Sequence, residues 1–165
     1  MRVKMLMAIL LIGMLMAGTA CTTMPSGSHD VSLSIDQKLI KTFQFVINSV
    51  TVNGANFSAT FPAQFTALLT SCLDDHGLTV REKGKEISPA FTYYIDASVY
   101  EFDYMRDLTS WYSTHIVLVV RDDYGNVLAT VNCVADAVQS AASARYLARL
   151  LESCIISLKG ALTRG

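Results

Sequence analysis

The sequence predicts an α+β fold, a two-layer sandwich with two helices packed on one face of a mostly antiparallel sheet, in the order β-α-β-β-β-β-α. Three observations predict it. Residues 61–76 and 140–165 carry apolar side chains at helical spacing. The stretches before and between them are rich in Val, Ile, Thr, Phe and Tyr, with period-2 alternation. Tight-turn residues, Asn53-Gly54 and Asp123-Tyr124-Gly125-Asn126, punctuate those stretches.

In chain order, Phe43–Val52 (FQFVINSVTV) reads as the first strand, bounded by Asn53-Gly54. Phe61, Phe65, Leu68, Leu69, Cys72 and His76 then share one helical stripe. Thr60 stands at the N-cap, Pro62 falls in the first turn, where its missing N–H is no loss, and Gly77 ends the helix. Leu78–Glu82 is a short strand and Lys83–Ser88 a charged turn. Ala90–Met105 and Thr114–Asp122 are strands, and Val127–Val134 completes a hairpin with the latter. Ala144, Leu147, Leu151, Cys154, Leu158 and Leu162 form the apolar stripe of the C-terminal helix.

The N-terminus carries a different signal. Arg2 and Lys4 precede an uncharged run, Met5–Ala17, and the small residues Gly18, Thr19 and Ala20 lead into Cys21. Positive, apolar and small segments in that order make an export signal over residues 1–20. The apolar run is shorter than the roughly 20 residues a membrane-spanning helix needs. The exit resembles the bacterial lipobox, although Gly18 replaces the usual aliphatic residue there. That resemblance implies cleavage before Cys21, a diacylglycerol on its sulfur and an acylated amine. Thr22 rather than Asp follows, which implies sorting to the outer membrane, facing the periplasm. Ordinary secretion after Ala20 is the alternative. Residues 21–35 are polar and small, with Pro25 and Gly27, and read as a flexible tether. Residues 36–165 then form a single domain.

Removing Arg2 and Lys4 from the chain's 13 basic residues leaves eleven against 14 acidic ones, a net charge of about −3. No basic field exists to hold a nucleic-acid backbone. Beyond Cys21, three thiols remain: Cys72, Cys133 and Cys154. Cys72 and Cys154 sit on the apolar stripes of two helices on one sheet face. They are the expected pair if a disulfide forms, with Cys133 a buried strand thiol, or else all three act as small hydrophobes.

Catalysis needs convergent groups, and the pattern offers none. His29, His76 and His115 are isolated, and no His-x-x-x-His or Cys-x-x-Cys spacing is present. Asp74-Asp75-His76 reads as a solvated helix end and Asp122-Asp123 as a turn. No nucleophile elbow, phosphate loop or dinucleotide fingerprint occurs. No enzyme activity, metal or cofactor is expected.

The aromatic strand is more informative. Alternate strand residues face opposite ways. Phe91, Tyr93, Ile95, Ala97 and Val99 fall on one parity, under the helices, and Tyr94, Tyr100, Phe102 and Tyr104 on the other. Two helices cover only one face, so the second aromatic set is a candidate protein-binding surface, extended by Trp111 and Tyr112 between two strands. A bulge near Val99–Glu101 returning the aromatics to the core, or coverage by residues 22–35, would cancel it.

A signal ending in Cys21, a helix closing on LDDHGLTV, the strand FTYYIDASVYEFDY, the hairpin VLVVRDDYGNVLAT and an Ala/Leu-rich C-terminal helix together resemble the small periplasmic lipoproteins that include the ABC-transport auxiliary lipoproteins. The similarity covers most of residues 40–165 and lies in pattern and order. It implies a non-catalytic accessory role in envelope transport or assembly, exerted on an envelope protein partner, and supplies no catalytic residue. A lipid or small-ligand carrier with an apolar groove between helices and sheet is the alternative, and a hydrolase without a recognisable motif ranks third.

Cys21→Ser is expected to leave the precursor unprocessed and to abolish metabolic fatty-acid labelling. Equal labelling of the variant and the wild type would contradict the lipid assignment.

Overall fold

Period-2 alternation in the body of the chain resolves into one six-stranded sheet, and the two helical stripes close over one of its faces. The computed structural model describes residues 26–85 and 91–163. The expected signal peptide, Cys21 and its lipid lie outside them. The strands are β1 (Ser26–Val31), β2 (Gln44–Asn53), β3 (Val80–Arg81), β4 (Thr92–Arg106), β5 (Thr109–Arg121) and β6 (Val127–Ala137). The helices are α1 (Phe61–Asp75) and α2 (Ala144–Thr163), and a 3-10 turn, Ile40–Thr42, leads into β2.

The strand order is β1-β6-β5-β4-β2-β3. β1, β6, β5 and β4 pair antiparallel, whereas β2 pairs parallel with both β4 and β3. The parallel pairs follow from α1, which returns the chain to the end of the sheet where β2 began. α1 packs on β2 and β3, α2 on β6, β1 and β5, and the helices on each other. The fold is therefore the α+β sandwich that the periodicity predicts.

Local chemistry explains where the elements stop. Gly77 adopts φ +76° after α1, the left-handed geometry that glycine enters without steric cost. Thr60 occupies the N-cap of α1, but its hydroxyl makes no capping bond and instead meets Ser58 Oγ at 3.0 Å. In the β5–β6 turn Asp122 Oδ1 accepts the N–H groups of Tyr124 (2.9 Å) and Asn126 (2.8 Å), as its turn role requires.

Several expectations are corrected. The tether over 21–35 does not hold for Ser26–Val31, which pair with β6 from Ser26↔Val134 to Val31↔Ala129. This polar stretch has little strand propensity; it is extended because β6 offers an unpaired ladder edge. β5 begins at Thr109 rather than Thr114, so Trp111 and Tyr112 lie within a strand. The short strand shrinks to Val80–Arg81, and α2 begins at Ala144. The ladders shift register at Asn48, between Ile47 and Ser49 of β2, and between Val120 and Arg121 where β5 meets β6, whereas the β4–β5 register runs without a shift from Tyr94↔Arg121 to Arg106↔Thr109.

The β4–β5 turn breaks a local rule. Asp107 and Leu108 both have positive φ, 49° and 61°, as a two-residue type I′ turn demands. Asn-Gly is the usual solution, and a leucine in this region costs about 1 kcal/mol or more.

Phe45, Phe65, Leu69, Ile95, Leu118, Leu151, Ile155 and Leu158 fill the space between the layers and are fully buried. One carboxylate shares that face. Glu101 stands on the core parity of β4 and is 5% exposed. Its Oε2 accepts Ala141 N–H (2.6 Å) and Thr114 Oγ1 (3.3 Å). Its Oε1 accepts Ser140 Oγ (2.7 Å) and Asn56 Nδ2 (3.4 Å). Glu101 thus ties β4 to β5, to the lead-in of α2 and to the loop after β2. Gly54 in that loop is needed for close approach, because a Cβ there would meet the Phe57 ring at 2.8 Å and Glu101 Cβ at 3.2 Å.

Glu101→Ala is expected to destabilise the fold by about 1–3 kcal/mol for each buried donor left unpaired, Ala141 N–H first among them. Urea unfolding of the variant against wild type measures this; a midpoint unchanged within error would show the bonds to be dispensable.

Candidate functional site: the open face of the sheet

The helices cover one face and leave the other to solvent. On β4 the covered parity is Tyr93, Ile95, Ala97, Val99 and Glu101, all buried, and Tyr94, Asp96, Ser98, Tyr100, Phe102 and Tyr104 stand on the opposite parity. Phe91, assigned to the core by its parity, is 51% exposed. It precedes the first residue of β4 and makes an edge contact with Phe43 (ring centroids 5.9 Å apart). The register brings the open-face residues into a strip. Tyr104 lies opposite Trp111, Phe102 opposite Ser113, Tyr100 opposite His115, and Ser98 opposite Val117. Tyr94, Tyr100 and Trp111 are half-buried, Tyr104 is 37% exposed and Phe102 58% exposed. The sequence's set of Tyr94, Tyr100, Phe102, Tyr104 and Trp111 is therefore on one face, with Tyr94 at the far end from the rest. The continuous β4–β5 register removes the bulge that would have turned them inward.

Two groups shape this surface. At the hairpin end Phe102 meets His115 edge to face at 5.9 Å, and the Arg106 guanidinium lies 5.4 Å from the centre of the Trp111 ring, a cation–π contact. At the opposite end Asp96 accepts Ser49 Oγ (2.6 Å), Asn48 Nδ2 (2.9 Å) and Arg121 Nε (2.9 Å). Partial burial raises the Asp96 pKa, but these bonds and the Arg121 charge outweigh it and hold the carboxyl below its ordinary value. The open face thus grades from a polar network to an aromatic cluster. The Asn48 bulge and the Asp96 cluster were invisible in the sequence, because their partners come from three separate strands.

The three histidines lie on separate elements, and His76 shares an open pocket with Cys72, Asp75, Glu152, Arg145 and Arg149. His29 is in β1, His76 caps α1 and His115 is in β5. His115 Nε2 lies 3.4 Å from Ser113 Oγ, a long contact between neighbours on one strand face. Among the described residues no group of three or more His, Cys, Asp or Glu side chains is placed to hold a metal ion, and no helix is long and apolar enough to cross a membrane.

The expected Cys72–Cys154 pair is not what the fold brings together. Cys72, Cys133 and Cys154 are free thiols. Cys154 faces Cys133, since α2 lies over β6: their interaction, and then burial, push the Cys154 thiol up, whereas the same interaction holds Cys133 below its usual value against its own burial. Burial, then the charges of Asp75 and Glu152, push the Cys72 thiol up. Tyr146 is a second buried polar group that the sequence did not single out. Its hydroxyl has no hydrogen-bond partner, and burial with the nearby Glu101 and Asp136 charges pushes it up to about 12.

The described residues form a two-layer α+β sandwich with one open, partly aromatic sheet face. No protein-family model matches the chain, and no curated protein matches its sequence. Solved structures do resemble it. The PelC dodecamer of Paraburkholderia phytofirmans, seen in two crystal forms, is 13% and 14% identical, with a TM-score of 0.57 in each; the alignments cover 86% of this chain and all of that one. The hypothetical protein CT253 of Chlamydia trachomatis is 15% identical over 73% of this chain and 98% of its own, with a TM-score of 0.46. At these identities the PelC likeness supports the fold and nothing finer.

Iodoacetamide is expected to modify Cys72 in the native protein, and Cys133 and Cys154 only after unfolding. Peptide mass spectrometry checks this, and a Cys72–Cys154 disulfide in unreduced protein would contradict the arrangement of α2 on β6.

Proposed function

We propose that this chain is a lipid-anchored, non-catalytic accessory protein of the bacterial envelope. Cys21 holds it on the periplasmic face of the outer membrane, and the open sheet face binds a protein of a transport or assembly system. The observation that carries the reading is the aromatic strip Tyr100, Phe102, Tyr104 and Trp111, which faces away from both helices. Apolar surface of this kind gains roughly 25 cal/mol per Å² when a partner removes it from water, before the costs of association. The space between helices and sheet is filled by buried side chains such as Phe65, Leu69, Leu118 and Leu151, which favours partner binding over an apolar ligand groove. The PelC proteins of like fold are dodecamers, and this favours a second reading in which the partner is another copy of the chain.

A photoreactive residue at Tyr100 in intact envelopes tests both readings. One discrete heterologous adduct supports the first, and an adduct of twice the chain mass supports the second. Phe102→Ala and Tyr104→Ala are expected to lower either yield while moving the melting temperature little. Phe65→Ala in the core should instead cost about 3–5 kcal/mol of stability. Crosslinking no stronger than from exposed Arg145 on the helix layer, or Phe102 and Tyr104 variants that melt as early as the Phe65 variant, would sink the proposal.

A further inference from the structure

The β4–β5 hairpin outruns the sheet that supports it. The β2 ladder on one side ends at Asn53↔Tyr100, and the β6 ladder on the other ends at Tyr112↔Ala137. β4 and β5 go on pairing with each other to Arg106↔Thr109. Every residue from Phe102 to Ser110 is exposed. Leu108 at the turn is 97% exposed and Met105 66%. A ribbon ending in a wholly exposed leucine, held at φ 61° where glycine would be easier, is costly in water.

The register also shows which end of the sheet the N-terminal segment approaches. Ser26 pairs with Val134, Val134 with His115, and His115 with Tyr100. The chain therefore enters β1 at the end from which the hairpin projects. Five residue steps separate Ser26 from Cys21, a reach of at most about 18 Å. From Tyr100 to Arg106 the strand rises about 20 Å, and the turn lies beyond that. An anchor at Cys21 cannot hold this end of the sheet farther from a membrane than the hairpin extends.

We propose that the tip of the hairpin, Met105 and Leu108, inserts into the bilayer that carries the Cys21 lipid, as a second point of attachment. The inference rests on the anchoring proposed above. A lipid phase fits better than a protein groove at the tip because the exposed apolar groups stand on both strand parities: Tyr104 on the open face, Met105 on the other and Leu108 at the end. A docking face would use one parity, whereas a fluid apolar phase accepts all of them. Amphipathic elements settle about 5–10 Å into the boundary between headgroups and acyl chains. At that depth Leu108 and Met105 lie among the chains. Arg106, 3.8 Å from the Asp107 carboxylate, reaches the phosphates, and Trp111 sits at the interface, where tryptophan is favoured. Tyr100 and Phe102, below the level of Trp111, remain available to a protein.

Trp111 is the chain's single tryptophan, so its emission reports on this hairpin alone. The test reconstitutes the full lipidated protein into phosphatidylethanolamine–phosphatidylglycerol vesicles with plain or brominated acyl chains. Wild type is expected to float with the vesicles and to lose Trp111 emission in the brominated ones. Leu108→Gly should still float, recover emission and melt at a higher temperature, because glycine relieves the positive φ. Wild type that floats with equal emission in both vesicles overturns the insertion and leaves the anchor standing. A blue shift that grows with protein concentration in the absence of vesicles assigns the tip to a second copy and also overturns it. Unlipidated protein beginning at Thr22 that floats as well as wild type, with quenched emission, overturns the anchor and supports the hairpin. Wild type that fails to float overturns both.

Discussion

The fold depends on how one buried carboxylate is satisfied. Glu101 carries its charge on the core face of β4, and among the described residues no cation pairs with it there. Four neutral donors do the work instead: Ala141 N–H, Ser140 Oγ, Thr114 Oγ1 and Asn56 Nδ2. A buried charge is tolerable only when hydrogen bonds replace its lost hydration. Each donor belongs to a different part of the chain from the strand it serves, so satisfying Glu101 fixes the entry to α2 and the loop after β2 together. Glu101 is also the last buried residue on β4. Below it the strand is core; above it the strand is a free ribbon.

That division creates two distinct exposed surfaces. Both helices are spent on one face, so nothing in the described chain covers the aromatic strip at Tyr100, Phe102, Tyr104 and Trp111. Edge strands β1 and β3 are both short, which limits open-ended strand addition at the sheet's edges. The broad open face and the projecting hairpin are thus the features left for contact. They differ in chemistry: the face offers ordered aromatics over a polar base at Asp96, whereas the tip offers unpatterned apolar groups around a strained turn.

The thiols illustrate how packing overrules a reasonable pattern argument. Cys72 and Cys154 each lie on the stripe of a helix, and the helices do touch. Yet α2 lies over β6, which sets the inward-facing strand thiol Cys133 against Cys154. A helix stripe is wide, and membership in it does not say which neighbour a side chain meets.

By itself the sequence determined the layers. Helical spacing gave α1 and α2, period-2 alternation placed the aromatics of β4 on opposite faces, and Gly77 and Asp122 marked ends and turns, because these depend on residues a few positions apart. Glu101 follows Val99 on the core parity of β4, but nothing near it in sequence names the donors that satisfy it. Tertiary structure decided everything that needed a distant partner. Ser26–Val31 became a strand because β6 had an open edge, and β5 reached Thr109 because β4 was there to pair with it. The Asn48 bulge kept β2 in phase with β4, and Cys154 met Cys133. Apart from the β4–β5 hairpin, whose strands are neighbours in sequence, the deciding interaction joins segments far apart, and a hydrogen-bond ladder or a packed layer can override local propensity only once those segments are brought together.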